Sequence, residues 1–178
     1  MANVLLLNVA ELLRHPGSRR HVGLSLPIAD LAVDGLSVVD ARVPADATVD
    51  VDVELEALHD GVVVTGDISA PWDAACRRCL SAVRGTLTPH VRELYRVAPQ
   101  PDDDAFPIEN EQLDLAPLVA EALMLDLPLA PLCRPDCAGL CPVCGADLNE
   151  GDCGCDRTVS DPRWAALDLL RDQLEQDS

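Results

Sequence analysis

Val49-Asp50-Val51-Asp52-Val53-Glu54-Leu55-Glu56-Ala57 alternates apolar and acidic residues, with only Leu55 and the closing Ala57 varying the valine series. Successive side chains on a strand point to opposite faces, so this run predicts a strand with one buried face and one acidic, solvated face. Asp60-Gly61 follows, a pair suited to a tight hairpin turn, and Val62 to Ile68 reads as the returning partner. The fold therefore starts from an antiparallel hairpin with a valine-rich inner surface.

Upstream, residues 4–8 read as a strand, and Ala10 to Arg14 as a short helical turn closed by Pro16-Gly17. His21 to Leu26 is a second strand, followed by a loop rich in Asp, Gly and Pro that holds a short strand at Val38-Val39. Downstream, Val83 to Val91 alternates again. Val83, Leu87 and Val91 point one way, and Arg84, Thr86, Thr88, His90 and Arg92 the other. Pro99 to Asp104 is an acidic linker. Asp114 is placed to cap a helix reaching about Leu125, with Pro117 tolerated in its first turn and Pro128 stopping it. A last helix has Asp161 as its cap and Pro162 at its first position, with Trp164, Leu167, Leu170 and Leu174 at helical spacing.

These elements predict an α+β fold: an antiparallel β-rich domain with a few helices, and a C-terminal cysteine-rich module of zinc-ribbon type. The expected organisation is a β-rich domain over residues 1–98, an acidic linker and a helix packing on it over 99–132, and the cysteine module with its helix over 133–178.

Composition narrows the function. Almost half of the 178 residues are apolar, enough for a core, but only Trp72, Tyr95, Phe106 and Trp164 are aromatic. The formal charge of −18 argues against a simple nucleic-acid binder, whose affinity is mostly electrostatic. The charge is uneven, however. From Val22 to Ala75 eleven acids face one arginine, and from Val97 to Leu132 eight acids face no base. Arg77 to Arg96 runs the other way, with five arginines against Glu93, and puts part of a basic island on one strand face. All 13 basic residues are arginine, a bias of composition rather than of site design. Met1 to Val9 has an apolar patch but no basic flank, and Asn8 and Glu11 interrupt it, so a cytoplasmic chain without a membrane span is expected.

In that compartment eight cysteines point to metal or redox chemistry rather than to structural disulfides. They form three groups: Cys76-Arg-Arg-Cys79; Cys133-x3-Cys137 with Cys141-Pro-Val-Cys144-Gly145; and Cys153-Gly-Cys155. Zinc takes four soft ligands in a tetrahedron, and paired cysteines on a tight turn share one ion. The glycine-rich loop from Cys137 to Cys155 has little apolar material of its own, so a metal would supply what its core lacks. Pairing by proximity gives one site from Cys141, Cys144, Cys153 and Cys155. A second, from Cys76, Cys79, Cys133 and Cys137, would tie the tail to the β-domain. A single site using four of the six C-terminal cysteines, a redox pair at Cys76 and Cys79 and an iron–sulfur cluster stay open at this level.

Some expected signatures of catalysis are missing from the sequence: there is no His-x-Glu beside the cysteines, no HExxH, no GxSxG and no glycine-rich phosphate loop. His15, His21, His59 and His90 are scattered. Four-cysteine coordination leaves no open position for a substrate, so one or two structural zinc ions and no enzymatic activity are expected.

The chain resembles the YceD family of large ribosomal RNA subunit accumulation proteins. The resemblance rests on Cys76-Arg-Arg-Cys79-Leu80, on Leu127-Pro-Leu-Ala-Pro-Leu-Cys133, and on Cys137, Gly139-Leu-Cys141-Pro-x-Cys144-Gly145, Leu148-Asn149 and Cys153-x-Cys155. The N-terminal strand, the short helix and Arg14-x-Pro-Gly17 add to it. It implies a non-enzymatic role in producing or stabilising 23S rRNA, hence in large-subunit assembly, with an rRNA precursor, ribosomal protein or assembly factor as partner. Joined to the charge pattern, it makes Arg77, Arg78, Arg84, His90 and Arg92 the candidate contacts to RNA or to a protein partner. The competing account of these bases is that they pair with acids on neighbouring strands. Two other functions compete with the ribosomal one: a zinc-stapled interaction adaptor unrelated to ribosomes, and a thiol redox or metal-handling protein.

Overall fold

A computed structural model describes residues 4–31, 35–99 and 103–157. The chain divides into two units, Met1–Pro135 and Asp136–Ser178. The predicted helix around Trp164 lies outside the described residues.

The first unit is mostly strand. Its elements are β1 (Leu6–Asn8), α1 (Ala10–Leu13), β2 (Arg19–Pro27), a 3-10 turn (Ile28–Leu31), β3 (Ser37–Val38), β4 (Ala41–Arg42), β5 (Thr48–Ala57), β6 (Gly61–Ala75), β7 (Ala82–Leu87), β8 (His90–Arg96), β9 (Phe106–Glu109), β10 (Gln112–Asp114) and α2 (Ala116–Asp126). The Val49–Ala57 alternation is β5, and its Val49, Val51, Val53, Leu55 and Ala57 are buried. β5 lies between β2 and β6, antiparallel to both. The core is built from these valines with Leu5, Leu113, Leu115, Leu123 and the ring of Tyr95. Among the described residues no charged or polar side chain is buried in it.

The long strand β6 carries the architecture. β5 flanks its first part on one edge, with β4 continuing on that edge at Arg42↔Asp73. On its other edge β8 and then β7 run antiparallel to it. The register is unbroken from Ala75↔Ala82 to Gly61↔Arg96, so β7 and β8 are one returning strand interrupted at Thr88-Pro89. Proline has no N–H to give a ladder, which explains the gap. The Pro89 carbonyl still accepts from Ile68 N–H at 3.1 Å.

Four local expectations change. The β5–β6 hairpin forms, closed by Leu58 N–H to Gly61 O at 2.8 Å, but Gly61 is needed for close approach rather than for the turn. A Cβ there would stand 2.0 Å from the Tyr95 carbonyl oxygen, so only glycine lets β8 come this near. Val39 is not in a strand; it turns the chain between β3 and β4 with φ at 56°. The stretch read as linker and helix also holds β9 and β10, joined through Asn110 and Glu111 at φ 50° and 59°, the signature of a type I′ turn. Finally, the sheet is not wholly antiparallel, because β9 lies parallel to β8 at Tyr95↔Phe106 and Arg96↔Pro107.

β10 then pairs with β1, which brings the start of the first unit beside its later part. Asp114 is not the N-cap of α2, which is Leu115 and has no side-chain cap bond; Asp114 stands one residue earlier, its Oδ1 accepting from Ala116 N–H at 2.9 Å. The helix buries Leu118, Val119, Ala120, Ala122 and Leu123, and the chain leaves it in extended form at Leu127, before Pro128. No helix among the described residues is long and apolar enough to cross a membrane.

Candidate metal centres and the arginine-bearing hairpin

The Cys76 box is the tip of the β6–β7 hairpin. Cys76 N–H donates to Ser81 O at 2.7 Å, and Leu80 N–H donates to Cys76 O at 2.9 Å. This closes a knuckle in which Leu80 takes a left-handed backbone, φ 61°. The knuckle aims backbone N–H groups at sulfur. Those of Cys79 first, then Cys133, pull the Cys76 thiol down from 9.0 to about 6 against the opposing effect of burial. The Ser81 hydroxyl, 3.0 Å from Cys79 Sγ, and then the Ser81 N–H lower the Cys79 thiol as well.

Cys133 reaches this tip from 54 residues away in sequence, its Sγ 3.6 Å from that of Cys79. The approach is fixed by main chain: Arg77 N–H donates to Pro131 O at 2.9 Å. Cys76, Cys79 and Cys133 thus gather three sulfurs within 4.8 Å of one another inside the first unit. Tetrahedral zinc with Zn–S bonds of about 2.3 Å needs sulfurs about 3.8 Å apart, so the trio fits three corners of such a site.

In the second unit all four of Cys141, Cys144, Cys153 and Cys155 lie within 4.8 Å of one another by their sulfurs. The first pair sits on the same knuckle: Cys141 N–H to Ala146 O is 2.8 Å, and Gly145 N–H to Cys141 O is 2.9 Å. Gly145 has φ 76°. The N–H of Cys144, then that of Val143, lowers the Cys141 thiol to about 6. Cys155 goes the other way, raised to about 12 by its hydrogen bonds to the Cys144 and Cys153 sulfurs and by burial. Thiols gathered this closely share protons, and a divalent cation would displace them.

One antiparallel bridge, Leu140↔Asp147, backs the second knuckle. Leu148 N–H to Gly139 O at 2.9 Å extends it. Asn149 ties the loop: its Oδ1 accepts from Ala138 N–H at 2.9 Å, and its Nδ2 donates to Cys137 Sγ at 3.5 Å. Cys137 stands two residues past Pro135, the last residue of the first unit, and four past Cys133. Ser81 and Asn149 are not among the site residues expected from sequence. The serine carries no pattern of its own, whereas the Leu148-Asn149 pair is visible only through family resemblance.

The candidate contact residues stand where the alternation puts them. Arg84, His90 and Arg92 are exposed on one side of the returning strand, and Arg77 and Arg78 are exposed at the tip. Acids on β6 face them in register, Asp73 opposite Arg84 and Asp67 opposite His90. His90 Nδ1 is 2.9 Å from Asp67 Oδ1, and Asp73 is bound by Arg42 at 2.8 Å. Arg19 spans Glu54 and Glu56 of β5 at 3.2 Å each, and His21 meets Asp52 at 2.7 Å. The acidic face of β5 is therefore partly neutralised from β2. Among the described residues Arg77, Arg84 and Arg92 make no ion pair.

A family model described as "Large ribosomal RNA subunit accumulation protein YceD" matches residues 64–171. A protein of Mycobacterium tuberculosis, named as uncharacterized, is 34% identical over 173 residues, covering 94% of this chain and 81% of its own length. One of Mycobacterium leprae, also named as uncharacterized, is 30% identical over 182 residues, covering 98% and 81%. A chloroplast protein of Arabidopsis thaliana named "Large ribosomal RNA subunit accumulation protein YCED homolog 1" is 32% identical over 71 residues, 40% of this chain and 22% of its own. No solved structure matches the chain significantly.

Proposed function

The chain belongs to the YceD family, and from that membership, together with the arginine-bearing hairpin tip, we propose that it is a non-enzymatic cytoplasmic factor supporting 23S rRNA accumulation and large-subunit assembly. The plant relative's name, a large ribosomal RNA subunit accumulation protein, points to the same process.

In this reading zinc is structural and held at two sites. Cys141, Cys144, Cys153 and Cys155 hold one ion. Cys76, Cys79 and Cys133 hold the other, with Cys137, four residues on from Cys133, as the fourth thiolate. Bound zinc would cross-link chain segments that have too little apolar surface to fold alone, making the second unit a small zinc-ribbon-like module. All four positions around each ion are filled by sulfur, so neither site offers a substrate a place to bind.

The observation that carries the functional reading is the hairpin itself. Its tip is closed by the Cys76–Ser81 and Leu80–Cys76 main-chain hydrogen bonds and carries exposed Arg77 and Arg78 within the segment that matches the family. The guanidinium groups of Arg77, Arg84 and Arg92, engaged in no ion pair among the described residues, suit phosphate, which a planar fork binds through two parallel hydrogen bonds. The test is the ratio of 23S to 16S rRNA in cells depleted of the protein. A selective fall in 23S is expected, and an unchanged ratio would leave the zinc-stapled adaptor as the better account.

A further inference from the structure

β8 has an open edge. Its partner β9 pairs with it only at Tyr95↔Phe106 and Arg96↔Pro107, so from His90 to Leu94 no strand among the described residues lies on that side. A half-free strand edge presents unpaired N–H and C=O groups, and proteins usually cover or bulge such an edge. Among the described residues no strand pairs with this stretch of β8. A groove of about 580 Å³ runs beside it instead, between β8, the start of β9 and α2.

The groove has an apolar floor and an acidic rim. Val91 and Leu118 line its base, and Leu125 of α2 stands beside it 80% exposed. Glu93 shares the inward register of Val91 and Tyr95, where the rest of the strand is apolar, so it places a carboxylate at the point where the sheet is open. Asp104, Glu121 and Asp126 complete the rim. Among the described residues the one basic group lining it is His90, which is engaged with Asp67.

We propose that this edge and groove bind an extended, arginine- or lysine-rich segment of a protein partner by strand addition. The partner's backbone would continue the sheet along His90–Leu94. Alternate side chains would then fall into the groove beside Leu125 and outward to solvent, as strand addition requires. The four carboxylates choose the occupant: an acidic segment or a nucleic-acid backbone would be repelled, whereas basic side chains meet complementary charge. The inference goes beyond the rRNA reading and holds whether or not the hairpin tip contacts RNA.

The experiment titrates the zinc-loaded full chain into a labelled short peptide alternating arginine and valine, following fluorescence anisotropy and amide hydrogen exchange. The peptide is expected to bind and to slow exchange at His90–Leu94, while its glutamate–valine counterpart and a short oligouridine do neither. Replacing the rim (Glu93→Gln, Glu121→Gln and Asp126→Asn together) should weaken binding roughly tenfold. The charge-matched control Asp50→Asn, Asp52→Asn and Glu54→Gln, on the acidic face of β5, should leave it nearly unchanged. Equal weakening by both sets would mean attraction to bulk negative charge and would overturn the proposal. So would protection of His90–Leu94 by the oligouridine, by self-association of the chain without peptide, or its absence when the peptide is bound.

Discussion

Leu80 and Gly145 occupy the same place in two copies of one turn. Each lies four residues after the first cysteine of its box and donates its N–H to that cysteine's carbonyl at 2.9 Å. Each has a left-handed backbone, φ 61° and 76°. Glycine adopts that conformation freely, whereas for leucine the Cβ makes it cost about 1–2 kcal/mol.

Leu80 is 65% exposed, so its side chain recovers little of that strain through burial. Leu80→Gly should therefore leave stability unchanged or raise it by up to about 1 kcal/mol, after the added freedom of the unfolded chain is discounted. Gly145→Leu should lower it by about 1–2 kcal/mol. Denaturant unfolding of the zinc-loaded variants measures both. If Leu80→Gly is stabilising and yet lowers 23S accumulation, the exposed leucine serves to meet a partner.

Metal content tests the cysteine sets separately. Purified protein should carry two zinc ions, released by a thiol-modifying reagent and measured with a colorimetric chelator. Cys141→Ser should remove one ion, and so should Cys137→Ser, each leaving the other site filled. Retention of both ions in Cys137→Ser would remove that residue from the first site.

Tyr95 offers a pH test, because it is the chain's single tyrosine. Its hydroxyl donates to Asp114 O at 3.0 Å and its ring stacks on Phe106 with centroids 5.0 Å apart. Burial, then the nearby Asp114 and Glu93 charges, hold its ionisation far above the usual 10. The folded state therefore keeps this proton where the unfolded chain gives it up. The contribution is fully present below pH 10 and is lost as pH rises beyond it. Tyrosinate absorbance should appear only together with unfolding. Tyr95→Phe should cost about 1 kcal/mol at neutral pH and flatten this alkaline limb; an early, reversible titration in the native protein would contradict it.

Arg77→Ala, Arg84→Ala and Arg92→Ala together should reduce co-sedimentation with large-subunit particles severalfold. Their exposure and lack of ion pairs put the change in stability within about 0.5 kcal/mol. If these arginines neutralise RNA phosphates, the salt dependence of association should flatten as well, by roughly 0.7–0.9 in log–log slope for each phosphate left without its arginine. Association that survives both the triple variant and raised salt would remove the hairpin from RNA binding.

The alternation of Val49 to Ala57 is enough to define β5, its buried face and its acidic one, because a period of two leaves a half-buried strand little choice. The same periodicity puts Arg84, His90 and Arg92 on one side of the returning strand. Cysteine spacing likewise suggests the second set, since Cys141 to Cys155 close over a short glycine-rich loop, but only the sulfur positions select it among the pairings that spacing allows. What sequence leaves open depends on segments far apart in the chain. β9 and β10 are short, and their turn signal, Asn110 and Glu111, is weak until the sheet beside Tyr95 is known. The meeting of Cys133 with Cys79 requires the path through β9, β10 and α2 that brings Pro131 to the Arg77 amide. Gly61 has the signature of a turn residue, and only the neighbouring strand shows that its missing side chain makes room for the Tyr95 carbonyl. Local periodicity is written into the chain; which edges meet, and which stay open, is decided by the packed sheet.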